Sequence, residues 1–292
     1  MALYLSIFTQ ILITIVAVSG VYVLTGLTGM FSLGQAAFMA VGSYASGILV
    51  VKLGVPFPLA CVLAVIIAVA IGYVVGFPTV RLRRDYISLV TLGFGEAITA
   101  LLNRATKLTG GASGFIGIPK KTTFLMALLS AIAAIALVSW FKTSKYGRQC
   151  IAVRSDELAA KAMGINVPKV KMTAFLLSVA VTAFSGCLYA FYITYVDPTI
   201  FGWKKSADWV IMVFFGGVNS LTGSVAGAFI LSGLPELLRS LDQYRSIIYA
   251  ILVLLIINFK PSGIFGEWEL TFGNLKKLGS RRSRKALKEG KN

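Results

Sequence analysis

The sequence predicts an all-α polytopic membrane protein with about nine transmembrane helices (eight to ten) and one short helix outside the membrane. Three observations predict it. Of 292 residues, 57% are hydrophobic and only 13% are charged, against roughly 25% charged in an ordinary soluble domain. The mean hydropathy is +0.82. The apolar residues come in long unbroken runs, whereas barrel strands alternate over about 10 residues. The bilayer is therefore the solvent, and each span must satisfy its own backbone as a helix.

The candidate spans are Leu5–Leu24, Ser32–Val51, Pro58–Phe77, Tyr86–Leu102, Thr123–Phe141, Met172–Tyr192, Ala207–Gly217, Ser224–Leu238 and Ser246–Phe259. The first has no basic stretch before it and is longer than a signal-peptide core, so it reads as a retained span. The second is rich in small residues, and Gly72–Gly76 and Gly223–Gly227 are spaced G-x-x-x-G. Such residues let helix backbones approach closely in lipid. The last three spans are short and read as tilted, broken or re-entrant. GLTGMFSLGQAAF (26–38) and GGVNSLTGSVAGAF (216–229) each place a Gly/Ser-rich turn before a span, a hint of a repeated unit.

The formal net charge is +17, from 28 Lys and Arg against 11 Asp and Glu. The basic residues stand at span ends, where they set topology and meet anionic lipid; nucleic acid is not implied. They cluster at Arg81, Arg83 and Arg84; at Lys142, Lys145, Arg148, Arg154, Lys161, Lys169 and Lys171; and from Lys260 through Lys291. The positive-inside rule puts all three clusters in the cytoplasm. An even number of spans separates each from the next, which leaves the N-terminus outside and the C-terminus inside. Asn103–Thr122 and Ile193–Ser206 then face out, with Asp197, Lys204, Lys205 and Asp208. Residues 1–266 form the transmembrane domain, with a cytoplasmic loop at 142–171. Residues 267–292 form a basic tail that reads as a solvated, lipid-attracted terminus.

Absences narrow the chemistry. There is no histidine, which removes Ser-His-Asp and Cys-His catalysis and most zinc sites. Cys61, Cys150 and Cys187 have no metal-type spacing, and no metal site is expected. No G-x-x-x-x-G-K-[ST] occurs, so the chain does not hold ATP in a P-loop. An enzyme is not expected.

The polar loop is the informative segment. In YGRQCIAVRSDELAAKAMGINV (146–167), Ser155 reads as a helix N-cap, with Asp156 and Glu157 in the first turn. Glu157 and Lys161 are spaced i,i+4, Ala159, Ala160 and Ala162 favour helix, and Gly164 stands at a left-handed C-cap before Pro168. The predicted helix, Asp156 to Met163, is about 12 Å long, too short to span. On physics alone such a helix either floats at the interface or docks a partner.

The loop resembles that of ABC importer permeases of the branched-chain amino acid (LivM-type) family, which reads approximately G-R-x-x-x-A-I-R-D-D-E-x-A-A-x-A-M-G-I-N. Gly147, Arg148, Ala152, Arg154, Asp156, Glu157, Ala159, Ala160, Ala162, Met163, Gly164, Ile165 and Asn166 fall in register; Val153 and Ser155 depart from it. SLGQAAFMAVGSYA (32–45), TGGASGFIGIP (109–119), FFGGVNSLTGSVAGA (214–228) and KPSGIFG (260–266) resemble further family segments in order. The resemblance implies a permease in a bacterial or archaeal inner membrane. It would work with a second permease subunit, a paralogue by preference, two cytoplasmic ATPases that hold ATP and magnesium, and an external solute-binding protein. The loop would be the coupling helix, with Gly147, Arg148, Arg154, Ser155, Asp156, Glu157, Ala160, Lys161, Met163 and Gly164 as its candidate residues. Branched-chain amino acids or related amino acids and amides would be the cargo.

Two residues stand at membrane depth. Glu96, in LVTLGFGEAITALL, and Gln35 are candidates for the translocation path; a helix–helix hydrogen bond is the other reading of each. Gly110, Gly111, Gly114 and Gly117 lie in the outward loop and are candidates for contact with the binding protein; turn geometry is the other reading. The competing function is a proton-coupled secondary transporter using Glu96, which leaves the organised loop unexplained.

Overall fold

The computed structural model describes residues 2–237 and, beyond them, 248, 250, 251, 253, 254, 258–260, 263–266 and 269. It is helical throughout apart from one two-strand pairing. The helices are α1 (Ala2–Tyr22), α2 (Gln35–Val51), α3 (Phe57–Thr79), α4 (Arg84–Arg104), α5 (Thr106–Thr109), α6 (Phe124–Thr143), α7 (Lys145–Ser155), α8 (Glu157–Ala162), α9 (Val167–Ile193), α10 (Trp203–Gly216) and α11 (Leu221–Leu237). Strands β1 (Phe115–Ile116) and β2 (Tyr195–Val196) pair antiparallel.

Among the described residues, five helices are long and apolar enough to cross a membrane: α1, α3, α4, α6 and α9. Helices α2, α10 and α11 have 17, 14 and 17 residues, about 21–26 Å against a hydrocarbon core of roughly 30 Å. The candidate span Ser246–Phe259 falls mostly outside the described residues, as does the tail.

Helix α9 is the centre, packed against α1, α2 and α3. Small residues make that packing close. A Cβ at Gly42 of α2 would overlap the Ala183 carbonyl, and one at Gly186 would overlap the Met39 carbonyl. Ser43 Oγ donates to the Gly186 carbonyl at 2.8 Å across the same crossing. Gly72 and Gly76 of α3 lie against Val179, Met172 and Phe175 of α9, and Gly223 and Gly227 of α11 lie against α10. Both G-x-x-x-G pairs are thus packing devices, as expected.

The short helices begin inside the bundle. Helix α1 widens into a π-helical turn at Val23–Thr28 and ends at Gly29, with φ +69°. The chain then turns back in extended form. Leu33 N donates to Thr91 Oγ1 at 3.1 Å, and Gln35 accepts from Thr182 Oγ1 at 3.2 Å, midway along α9. So α2 starts at Gln35, three residues later than Ser32. On the other side Pro198–Phe201 folds in against α2 and α4. Ser206 Oγ then accepts from Ala36 N at 2.9 Å. Helix α10 therefore starts at the depth of Gln35. Lys204, Lys205 and Asp208 lie in its first two turns, on a helix and not on a loop, with Lys204 and Asp208 exposed and Lys205 partly buried.

One end of the bundle gathers basic residues. The Arg84 guanidinium donates to the carbonyls of Val153 and Arg154 at 2.6 and 2.7 Å. Lys142 Nζ donates to Tyr22 Oη at 2.9 Å, to the Asn219 carbonyl at 3.0 Å, and to Glu269. Ile264 N donates to the Phe215 carbonyl at 2.9 Å. The first two basic clusters, the α10–α11 turn and the start of the third cluster at Lys260 therefore share one end, as the parity of spans required. At the opposite end, Lys52 Nζ donates to the carbonyls of Lys107 and Leu108 at 2.7 and 3.1 Å, beside the β1–β2 pair.

Candidate functional site

At the basic end the chain leaves α6, makes α7 and α8, and re-enters as α9. Each break is capped. Ser144 Oγ accepts from Gly147 N at 3.2 Å and starts α7. Gly147 is required there, because a Cβ would overlap the Phe141 carbonyl. Arg148 Nη1 donates back to the Thr143 carbonyl at 2.6 Å, at the C-terminal end of α6. Cys150 and Val153 are the buried face of α7, and burial pushes the Cys150 thiol up to about 12.

Helix α7 runs through Ser155, so the N-cap of α8 is Asp156 and not Ser155. Asp156 is extended (φ −153°, ψ 114°), and its Oδ1 accepts from Leu158 N at 2.8 Å and Ala159 N at 3.0 Å. A carboxylate is the stronger acceptor at a helix N-terminus. Helix α8 is correspondingly short, Glu157–Ala162, about 9 Å. It closes as a Schellman turn: Gly164 N donates to the Lys161 carbonyl at 3.0 Å and Ile165 N to the Ala160 carbonyl at 3.1 Å, with Gly164 at φ +80°. Pro168 does not hold the next helix off. It sits in the first turn of α9, where Asn166 Oδ1 caps Lys169 N at 3.2 Å.

Three ties bind this unit to the membrane helices. Arg154 donates to the Gly26 carbonyl in the π-turn that ends α1. Arg84, at the start of α4, holds the last carbonyls of α7. Glu157 pairs with Lys171 of α9, Nζ lying 2.8 Å from both carboxylate oxygens; the lysine side chain is 1% exposed and the glutamate 42%. The expected Glu157–Lys161 pair is thereby replaced. Sequence reasoning counted Lys171 among the basic residues and gave it no role; the signal available was its position just inside an apolar helix, where an ammonium needs a partner.

The free face of α8 is apolar. Leu158 and Met163 are 80% and 83% exposed, while Ala160 is buried against the protein. Lys161, Arg81 and Arg83 line, with Glu157, Leu158 and Gly164, a groove of about 850 Å³ beside the helix. The arrangement presents two large apolar side chains and a basic rim on a rigid, tethered helix. The described residues hold no set of three or more metal-ligating side chains.

The other candidates separate. Gln35 is fully buried, its Oε1 taken by Thr182. Glu96 stands on the exposed side of α4. Gly110, Gly111, Gly114 and Gly117 all have positive φ, between +62° and +90°. Gly111 and Gly114 are buried, so their first duty is the turn; the large apolar side chains exposed beside them are Leu108 and Ile116.

The family described as the permease component of the branched-chain amino acid transport system matches residues 3–257. The chain is 31% identical to the high-affinity branched-chain amino acid transport permease LivM of Salmonella typhimurium, over 88% of this chain and 68% of that protein. It is 25% identical to a probable branched-chain amino acid permease LivM of Methanocaldococcus jannaschii, over 74% of this chain and 71% of that protein. It is 26% identical to the permease LivH of Salmonella typhimurium, over 64% of this chain and 61% of that protein. No solved structure matches it.

Proposed function

The chain belongs to the family of branched-chain amino acid transport permeases, and from that membership we propose that it is one of two membrane-spanning subunits of an ATP-driven importer. Its cargo is a branched-chain or related small amino acid or amide. Separate cytoplasmic ATPases bind ATP and magnesium, and an extracytoplasmic binding protein delivers the solute. The chain sits in a bacterial or archaeal inner membrane with its N-terminus outside and its C-terminus in the cytoplasm. Its likeness to both LivM and LivH supports pairing with a paralogous second permease.

The observation that carries this reading is the tethered helix α8. A partner that grips Leu158 and Met163 moves α9 through Glu157–Lys171, α1 through Arg154, and α4 through Arg84. These are the parts needed to turn closure of an ATPase pair into alternating access. The solute path is enclosed between the α4–α10 side of this chain and the second subunit, beside the exposed Asp208. The exposed sides of α3 and α6 carry Val62, Ile66, Leu129 and Ile132 and suit lipid.

The test is purification of the membrane complex. ATPase activity that rises with the external binding protein, and falls to the basal rate in Glu157→Lys and Gly164→Val with the subunit still folded, supports the importer. The valine is strained by about 1–2 kcal/mol at the left-handed position. Uptake driven by a proton gradient through this chain alone would replace it with the secondary-transporter reading.

A further inference from the structure

Resting on the reading that a second permease pairs with this chain, we propose that the exposed row of α4 centred on Glu96 is the face against which a helix of that second subunit packs. Tyr86, Val90, Gly93, Glu96, Ala97 and Ala100 recur at three- and four-residue spacing on that row and are all exposed. They share one side of the helix. The opposite side, with Ile87, Thr91 and Gly95, is buried against the chain's own bundle. Phe94 reaches Phe38 with ring centroids 4.9 Å apart.

Three occupants compete for the row. Lipid suits α3 and α6, which are about as exposed as α4 but far more apolar. It does not suit α4, where it would meet a carboxylate twelve residues, about 18 Å, along the helix from Arg84. Water alone does not suit the row either, because its other members are apolar or small. A protein helix suits both features. Gly93, Ala97 and Ala100 allow close backbone approach, and a donor from the partner meets the carboxylate. A Cβ at Gly93 meets nothing within 4 Å in this chain, so the space beside it is left for another molecule.

The whole importer, in native membranes, tests this. Cys61, Cys150 and Cys187 are buried, which keeps the background low for Ala97→Cys carrying a benzophenone maleimide. The expected result is a photo-adduct with the second permease from Ala97→Cys and none from Val62→Cys on α3. Gly93→Leu, whose Cβ is unobstructed in this protomer, should lower the second permease recovered with the chain about tenfold, and Gly93→Ala should not. Adducts with the second permease from Val62→Cys but not Ala97→Cys overturn the assignment and leave the importer reading standing. Labelling of Ala97→Cys by a lipid-borne diazirine, or full recovery of the partner with Gly93→Leu, does the same. Recovery of the chain with no second permease under any condition overturns both.

Discussion

At Lys171 an ammonium 1% exposed meets a carboxylate 42% exposed. The lysine has lost nearly all its water, so removing the glutamate leaves an uncompensated buried charge. The sequence reading paired Glu157 with Lys161 by helix spacing, a contact of a few tenths of a kcal/mol between solvated groups. The structure uses the lysine that needs the partner more. Glu157→Gln should therefore destabilise the subunit by about 1–3 kcal/mol, the upper end of the buried-pair range being discounted because Glu157 is partly solvated. Glu157→Gln with Lys171→Met should recover much of that loss, because neither charge remains. Thermal unfolding of the reconstituted complex reads both, while ATPase stimulation stays low in each, since the tie to α9 is gone. Equal stability of the single and double variants would remove the pair from the account.

At the scale of elements, the apolar helices were legible because length and hydropathy alone define them. The unit formed by α7 and α8 was legible only in part. Ser155 followed by two acids looks like a helix start, yet the cap is Asp156, because α7 persists to Ser155 with Arg84 holding its terminal carbonyls. That stabilisation comes from another helix and leaves no local trace. The starts of α2 and α10 were hidden for the same reason: Gln35 and Ser206 find their partners on α9 and α2. Helix α7 itself makes a testable statement. Its Cys150 is buried and pushed up to about 12 from an ordinary 9.0. The folded state keeps a proton that the unfolded chain loses above about pH 9, so stability falls as pH rises from there toward 12. Below that window the thiol is protonated and shielded. Maleimide at neutral pH should leave Cys150 unmodified in the folded complex and react with it after denaturation; modification of the native complex would mean that α7 opens.

For the whole molecule, the two ends differ in what their charges do. At one end Arg84, Arg154 and Lys142 each donate to backbone carbonyls of distant elements, and Lys171 closes an ion pair. Arg84, Arg154 and Lys171 of the basic clusters are thus the ones that hold α7 and α8 to the bundle. At the other end Lys52 secures the loop after α4, and Leu108 and Ile116 project from it. On the proposed importer reading, the positive-inside rule puts the basic end toward the ATPases. Leu158→Cys on α8 and Ile116→Cys on β1 report the two ends directly, because both side chains are exposed and the native cysteines are buried. A membrane-impermeant maleimide should label Leu158→Cys in inside-out vesicles and Ile116→Cys in right-side-out vesicles. Added ATPase subunits should protect Leu158→Cys, and the binding protein should protect Ile116→Cys. The reverse pattern of labelling would invert the chain in the membrane and put α8 out of reach of any cytoplasmic ATPase.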